Sequence, residues 1–329
     1  MNINGLTKFL TLCLASSVFF ISGCGQKDGI ANNPSKNETR GLIGVSLLTL
    51  QNPFFKTIGD NIEAEATKLG YTVEVVSGDQ DAKKQYDQVQ DFIVQKASAI
   101  VLSPCDSKAV VTAIQAANKA GIPVFTVDIP CNEPGVEIVS QIATDNYLGG
   151  KMAGDAMIEI LGETGGNVLV LDHNMVESCQ LRVKGFTEIL KKHNESSDNK
   201  IEVVSTLPSG GARDVGFKST EDALQSNPDL NAIFAINDPS ALGAYAALKK
   251  AGKEEQVKIV GFDGQPEGKK AILEGKIYAD PIQFPDKMGV EIVNAIVSYS
   301  KGEEVAKENL IPPSLYKKED AQKDPLLKN

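Results

Sequence analysis

Few residues in this chain could carry reactive chemistry, and a recurrent set of polar ones stands in their place. Two histidines among 329 residues, His173 and His193, leave no room for a multi-histidine metal site or a zincin-type hydrolase. The patterns GxSxG, GxGxxG and GxxxxGKS/T are absent, and no nucleophile–base pair is visible, which disfavours an enzyme. Carboxylates, amides and phenyl rings recur directly after short apolar runs. They are Asn52 with Phe54 and Phe55, Ser103 and Asp106 around Pro104-Cys105, Asp128, Asn237-Asp238, and Phe262-Asp263. An ionised carboxylate accepts from two neighbouring hydroxyls, an amide both donates and accepts, and a phenyl face covers the C–H side of a sugar ring. That inventory suits a hydroxyl-rich ligand and requires neither cofactor nor metal.

Each of these residues also has a purely structural use. Phe54 and Phe55 suit the core face of a first helix, and Asn52, Asp106 and Asp238 suit helix N-caps. Asp128 and Asp263 resist that explanation, because each directly follows an apolar run where an unpaired charge is costly to bury. His173 follows the run 168–171 and comes within reach of the same edge, although a lone histidine serves equally well as a satisfied polar residue.

The elements that must position these residues follow from periodicity. From Gly41 onward, short β-branched runs alternate with longer segments of helical period, the mark of parallel α/β sheets. The expected strands are residues 42–48, 72–76, 99–102, 123–127 and 138–142, then 168–171, 202–205, 232–236, 258–260 and 277–279. Between them lie helical patterns such as 108–120, where Val110, Val111, Ile114 and Ala117 share a face. Near-continuous apolarity in the strands implies helices on both sheet faces. The expectation is an α/β fold of two similar lobes, each a mainly parallel sheet flanked by helices, with a C-terminal helix left over. Asn52-Pro53, Asp238-Pro239 and Gln265-Pro266 place proline at the first position of a helix that follows a strand. Ligands of open α/β sheets bind beyond the carboxyl ends of the strands, where the polar residues above stand. A formal charge of −10, from 33 basic and 43 acidic residues, argues against a nucleic-acid partner.

The first residues read as an address. Lys8 precedes an apolar run, 9–21, too short for a membrane span, and it ends in Ile21-Ser22-Gly23-Cys24. That ending resembles the lipobox of bacterial lipoproteins, so residues 1–23 are expected to be removed and Cys24 to be lipidated. Residues 24–40 read as a flexible tether, the lipid being the only membrane contact. Of five cysteines, Cys105, Cys131 and Cys179 then remain, enough for at most one internal disulfide. Cys105 and Cys131 each lie three residues past a strand end, on strands expected to be neighbours, which suggests a bridge between them.

Taken in order, these stretches resemble the ribose-binding branch of bacterial periplasmic binding proteins, the solute receptors of sugar ABC importers. The matching segments include Gln51-Asn52-Pro53-Phe54-Phe55, Ser103-Pro104-Cys105-Asp106-Ser107, Ala143-Thr144-Asp145-Asn146-Tyr147, Arg182-Val183-Lys184-Gly185-Phe186, Asn237-Asp238, Val260-Gly261-Phe262-Asp263-Gly264 and Gln283-Phe284-Pro285-Asp286. The resemblance implies two Rossmann-like lobes, 41–144 with 284–312 and 145–283 with 313–329, joined by a three-strand hinge. It implies a monomer that closes on a monosaccharide and docks on a permease with its ATPase. The implied sugar contacts fall on Asn52, Phe54, Phe55, Asp128, Asn237, Phe262, Asp263 and Gln283, with Ser103, Asp106, Gln180 and Arg182 completing the candidate set.

Departures from the ribose pattern bear on specificity. Ribose binders carry Asn where Ser103 stands, Arg where Ile129 follows Asp128, Arg at the position aligned with Gln180, and an aromatic at that of Gly211. Other segments, such as Asp106-Ser107-Lys108-Ala109, also look like fructose-binding relatives, so a hexose, ketose or polyol competes with ribose. Presentation of the sugar to a chemoreceptor or sensor kinase is the alternative use of the same fold. A repressor of this fold needs an N-terminal helix-turn-helix where the export signal stands.

Overall fold

The computed structural model describes residues 39–328; the expected leader, Cys24 and most of the tether lie outside them. In chain order the strands are β1 (Leu42–Leu47), β2 (Thr72–Ser77), β3 (Ala99–Leu102), β4 (Val124–Val127), β5 (Ser140–Thr144), β6 (Gly166–Asp172), β7 (Ile201–Pro208), β8 (Leu230–Ala235), β9 (Lys258–Val260), β10 (Ala279–Ile282), β11 (Glu308–Ile311) and β12 (Ser314–Lys317). They form two six-stranded sheets, ordered β11-β5-β4-β3-β1-β2 and β12-β10-β9-β8-β6-β7. All pairings are parallel except that of β12 with β10. The principal helices are α1 (Pro53–Lys68), α2 (Ala82–Val94), α3 (Val111–Lys119), α4 (Asn146–Leu161), α5 (Glu177–Ser196), α6 (Arg213–Ser226), α7 (Asp238–Ala251), α8 (Pro266–Leu273) and α9 (Pro285–Ser300). The chain passes between sheets after β5, after β10 and again between β11 and β12.

Local chemistry accounts for these boundaries. Asn52 caps α1 by accepting from the Phe54 amide at 3.0 Å, and Pro53 opens the helix. Asn237 repeats the device at α7, accepting from the Ser240 amide at 3.0 Å, and Gly252 closes that helix in the left-handed conformation at φ 65°. The central strands are buried on both faces, as the apolar runs require. One apolar cluster links the two lobes and includes Leu48, Phe54, Ile129, Val176 and Phe262; two smaller ones back the outer faces of the sheets.

Strands β10, β11 and β12 differ from expectation. β11 and β12 were not expected, because they are four residues each and flank Pro312-Pro313, which breaks any alternation that periodicity could detect. β10 runs two to three residues later than expected, through Asp280-Pro281.

The expected Cys105–Cys131 bridge is absent: both are buried free thiols, as is Cys179. The strand-end argument brought the two loops to one edge but said nothing of facing. Cys105 packs in the cluster with Leu47 and Leu48, its amide held by Gln85 of α2 at 2.9 Å. Cys131 packs in the cluster with Phe92 and Ile114, its amide held by Gln141 of β5 at 2.9 Å. Burial pushes the Cys105 thiol up to about 12, so it is inert.

Candidate functional site

A cleft of about 360 Å³ opens at the carboxyl ends of both sheets. The structure brings Asn52, Phe54, Phe55, Asp128, Arg182, Asn237, Asp263 and Gln283 of the candidate set to its wall. The remaining four stand elsewhere. Ser103 is fully buried beside β1, its amide donating to the Ser46 carbonyl at 2.9 Å and its own carbonyl accepting from Gln85. Asp106 caps a turn by accepting from the Lys108 and Ala109 amides, both at 2.8 Å. Gln180 is exposed and donates to the Asn174 carbonyl. Phe262 lies beneath the wall, its ring 3.9 Å from the Arg182 guanidinium carbon, so it supports a cation rather than a sugar face.

Asp128 follows β4 and Asp263 follows β9, each with positive φ, 65° and 103°. Their amides hold them in register: Asp128 donates to the Ile142 carbonyl at 2.8 Å and Asp263 to that of Pro281 at 3.2 Å. The two carboxylates have different surroundings. Asp263 Oδ1 accepts from Gln283 Nε2 at 2.6 Å and from Arg182 Nη1 at 3.3 Å. Asp128 has no side-chain partner among the described residues, and its Oδ1 is fully buried. Burial, partly offset by Arg182 and reinforced by Asp263, pushes Asp128 up to about 7. Burial also raises Asp263, to about 6, against the pull of Arg182 and Gln283.

Arg182 reaches this position because α4 and α5 almost touch. A Cβ added at Gly185 would collide with the Tyr147 carbonyl oxygen, and one at Gly150 with that of Arg182. The close approach lets Arg182 Nε donate to Asn146 Oδ1 and Nη1 to the Ile236 carbonyl, both at 2.7 Å. Arg182 is thus the guanidinium that α5 brings to the wall, while Gln180, two residues before it, is exposed. The departures at Ile129 and Gly211 stand on the wall as they did in the sequence.

Below Asp263 lie two further buried carboxyls, Asp238 at the start of α7 and Asp280 in β10. Asp238 Oδ2 accepts from the Gln265 amide at 2.6 Å, while Asp238 Oδ1 and both Asp280 oxygens have no hydrogen-bond partner among the described residues. Burial and Asp280 raise Asp238 well above the carboxylate range, and burial pushes Asp280 up to about 7.

Sequence reasoning missed Gln80, Arg213, Asp214 and Glu267 on the wall. Arg213-Asp214 opens α6 and Glu267 opens α8, so the strand-end rule applied to the runs ending in β7 and β9 reaches them. His173, which it left open, lines the cleft with Nε2 unpartnered, and burial holds its pKa below the ordinary value despite Asp172.

The lobes meet beside the cleft. Ser107 of the first lobe donates its amide to the Met175 carbonyl at 3.1 Å, and its Oγ accepts from the Glu177 amide at 3.0 Å while donating to the Pro130 carbonyl at 2.9 Å. Asn132 Nδ2 donates to Glu177 Oε1 at 2.7 Å.

Residues 43–304 match the family model described as a periplasmic binding protein domain. The chain belongs to the periplasmic binding protein family. It is 38% identical over 264 residues to the ribose import binding protein of Escherichia coli, covering 80% of this chain and 86% of that one. It is 36% identical over 235 residues to the D-apiose import binding protein of Actinobacillus succinogenes, covering 71% and 74%. Its fold is similar to that of the Caulobacter myo-inositol binding protein bound to myo-inositol, with a TM-score of 0.80 at 27% identity over 88% of this chain and 97% of that one. Within the family it is a sugar-binding solute receptor of the ribose branch, a protein that captures and delivers rather than an enzyme. Family membership implies export to the periplasm.

Proposed function

We propose that this periplasmic binding protein is a lipid-anchored receptor of an ABC importer, monomeric, that closes two lobes on a monosaccharide. The lobes are residues 41–144 with 284–312 and 145–283 with 313–329; residues 1–23 direct export and Cys24 carries the lipid. The observation that carries this reading is the pair of buried carboxylates, Asp128 from one lobe and Asp263 from the other, lining one cleft between phenyl rings and amides. Asp128, Asp263, Asn52, Gln283 and Arg182 bind hydroxyls, and Phe54 and Phe55, packed edge to face at 5.3 Å, cover the ring. The relatives named for ribose and apiose, and the one holding myo-inositol, support a ligand of that size.

Ribose itself is disfavoured. Ile129 stands where ribose binders carry arginine, so that side of the cleft offers no donor, and each ribose hydroxyl left unpaired there costs about 1–3 kcal/mol. A thermal-shift screen against pentoses, hexoses and cyclic polyols tests the reading, since a ligand at 100 times its Kd stabilises by about 2.7 kcal/mol. With the cognate ligand in hand, Asp263→Ala is expected to weaken binding by about 10- to 150-fold, the loss of a charged hydrogen-bond partner. Calorimetry checks this, and a change below about threefold removes Asp263 from the site.

A further inference from the structure

The acids and cations on the wall of the cleft do not balance. Among the described residues the wall carries four acids, Asp128, Asp214, Asp263 and Glu267, and two arginines, Arg182 and Arg213. Both arginines are committed: Arg182 to Asp263 at 3.3 Å and Arg213 to Glu267 at 3.5 Å. Asp214 is exposed in the first turn of α6, where water and the helix amides answer its charge. Asp128 is 3% exposed, and its Oδ1 has no hydrogen-bond partner among the described residues. Burial lowers the basicity of His173.

The hydrogen-bonding inventory is skewed in the same direction. Gln283 Nε2 is spent on Asp263, which turns its Oε1 into a fixed acceptor, and that oxygen is buried without a partner, as is Asp128 Oδ1. Arg182 Nε and Nη1 are spent on Asn146, Ile236 and Asp263. Ile129, beside Asp128, offers nothing polar. Beside Asp128 and Gln283 Oε1 the cleft therefore faces acceptors and a carboxylate that Arg182, bonded elsewhere, offsets only in part. A sugar hydroxyl supplies one donor and brings its own lone pairs; an ammonium supplies three donors, no acceptor and the missing charge. Pairing a buried carboxylate with a cation also removes most of the cost of burying it.

We propose that the ligand carries a primary amine, an amino sugar or amino-substituted cyclic polyol whose ammonium sits against Asp128. This rests on the monosaccharide reading above and names the class within it.

The test is calorimetry on the full chain at pH 7. The probes are D-glucosamine, D-galactosamine and D-mannosamine against D-glucose, D-galactose and D-mannose, with D-ribose, D-fructose, myo-inositol and N-acetyl-D-glucosamine alongside. At least one amine is expected to bind 30-fold or more tightly than its hydroxyl counterpart, and N-acetyl-D-glucosamine is expected to lose that advantage. Asp128→Asn, which keeps the shape and removes the charge, is expected to reduce the amine-to-hydroxyl ratio to below threefold. The wild-type comparison decides the matter even if that variant fails to fold. A neutral sugar or polyol that binds as tightly as every amine overturns the proposal and leaves the monosaccharide reading standing. Silence across the whole panel overturns both.

Discussion

Asp238 and Asp280 pose a question that the cleft alone does not answer, since neither lines it, yet both are buried close to groups that do. Their apparent pKa values, with those of Asp128 and Asp263, lie above the ordinary carboxylate value, about 7 for Asp128 and Asp280 and about 6 for Asp263. The unfolded chain releases such protons near pH 4, while the folded protein retains them to about pH 6–7. Between those limits the native state holds more protons than the unfolded one, so stability is greatest on the acid side and falls as pH rises. Each group contributes a slope of up to about 1.4 kcal/mol per pH unit in that window. Urea midpoints of the unliganded protein are expected to drop between pH 5 and pH 8. Asp280→Asn should flatten that slope and raise the midpoint at pH 8; an unchanged slope would show that the pair does not share a proton. At this scale the sequence was legible where burial cost speaks for itself. Asp128 and Asp263 were found because a carboxylate after an apolar run demands a reason. Ser103 and Phe262 were misplaced because a position at a strand end does not say which way the side chain points, and in both the side chain turns into the protein.

The α4–α5 pair shows how the packing of two helices places a side chain on the wall of the cleft. Gly150 and Gly185 are the residues that let the helices approach, and the approach sets Arg182 over Phe262 and against Asp263. Gly185→Ala meets backbone, not a flexible side chain, so the helices must part. The expected cost is about 1–3 kcal/mol of stability from overpacking, read by denaturant unfolding. Weaker ligand binding should accompany it as Arg182 shifts, and full affinity in a folded variant would separate the helix contact from the site. Helices and most strands were readable because proline and asparagine punctuate them and their apolar runs are long. β11 and β12 were not, because their partners lie across the whole chain: β11 pairs with β5 and β12 with β10, and four residues beside two prolines carry no periodicity. Arg182 stood among the candidates, but whether it or Gln180 faces the cleft depends on the phase of α5, which is set by the loop before it and not by spacing.

Across the whole molecule, the bonds at Ser107 join the lobes without touching the cleft contents. Their oxygen couples the Pro130 carbonyl, two residues from Asp128, to the first amide of α5. Ser107→Ala removes the one side-chain bond that crosses to the second lobe, from the Glu177 amide, worth about 0.5–1.5 kcal/mol, and so favours the open arrangement by about that much. Because a ligand enclosed by both lobes is held in proportion to the closed population, affinity should fall by about 2- to 13-fold. Small-angle scattering of the unliganded variant is expected to show a larger radius of gyration than the wild type. Equal radii with equal affinity would mean that these bonds follow closure without favouring it. The two-lobe layout was legible from the doubled series of strands; this contact was not, because it joins residues 107 and 177 through a loop whose path no pattern in the sequence specifies.

The two carboxylates at positive φ have a consequence for the lifetime of the protein. A non-glycine residue in that region costs about 1–2 kcal/mol, and at Asp128 the cost of an unanswered buried charge is added. The vacant receptor thus spends part of its small margin of stability on a site that only an occupant repays, at RT ln(1 + [L]/Kd). Proteases act on the transiently opened chain, whose population rises about tenfold for every 1.4 kcal/mol lost. Receptors without ligand are therefore expected to be degraded sooner than those that hold it. The abundance of the protein outside the cytoplasm should therefore track the nutrient it collects, through turnover alone and with no change in synthesis.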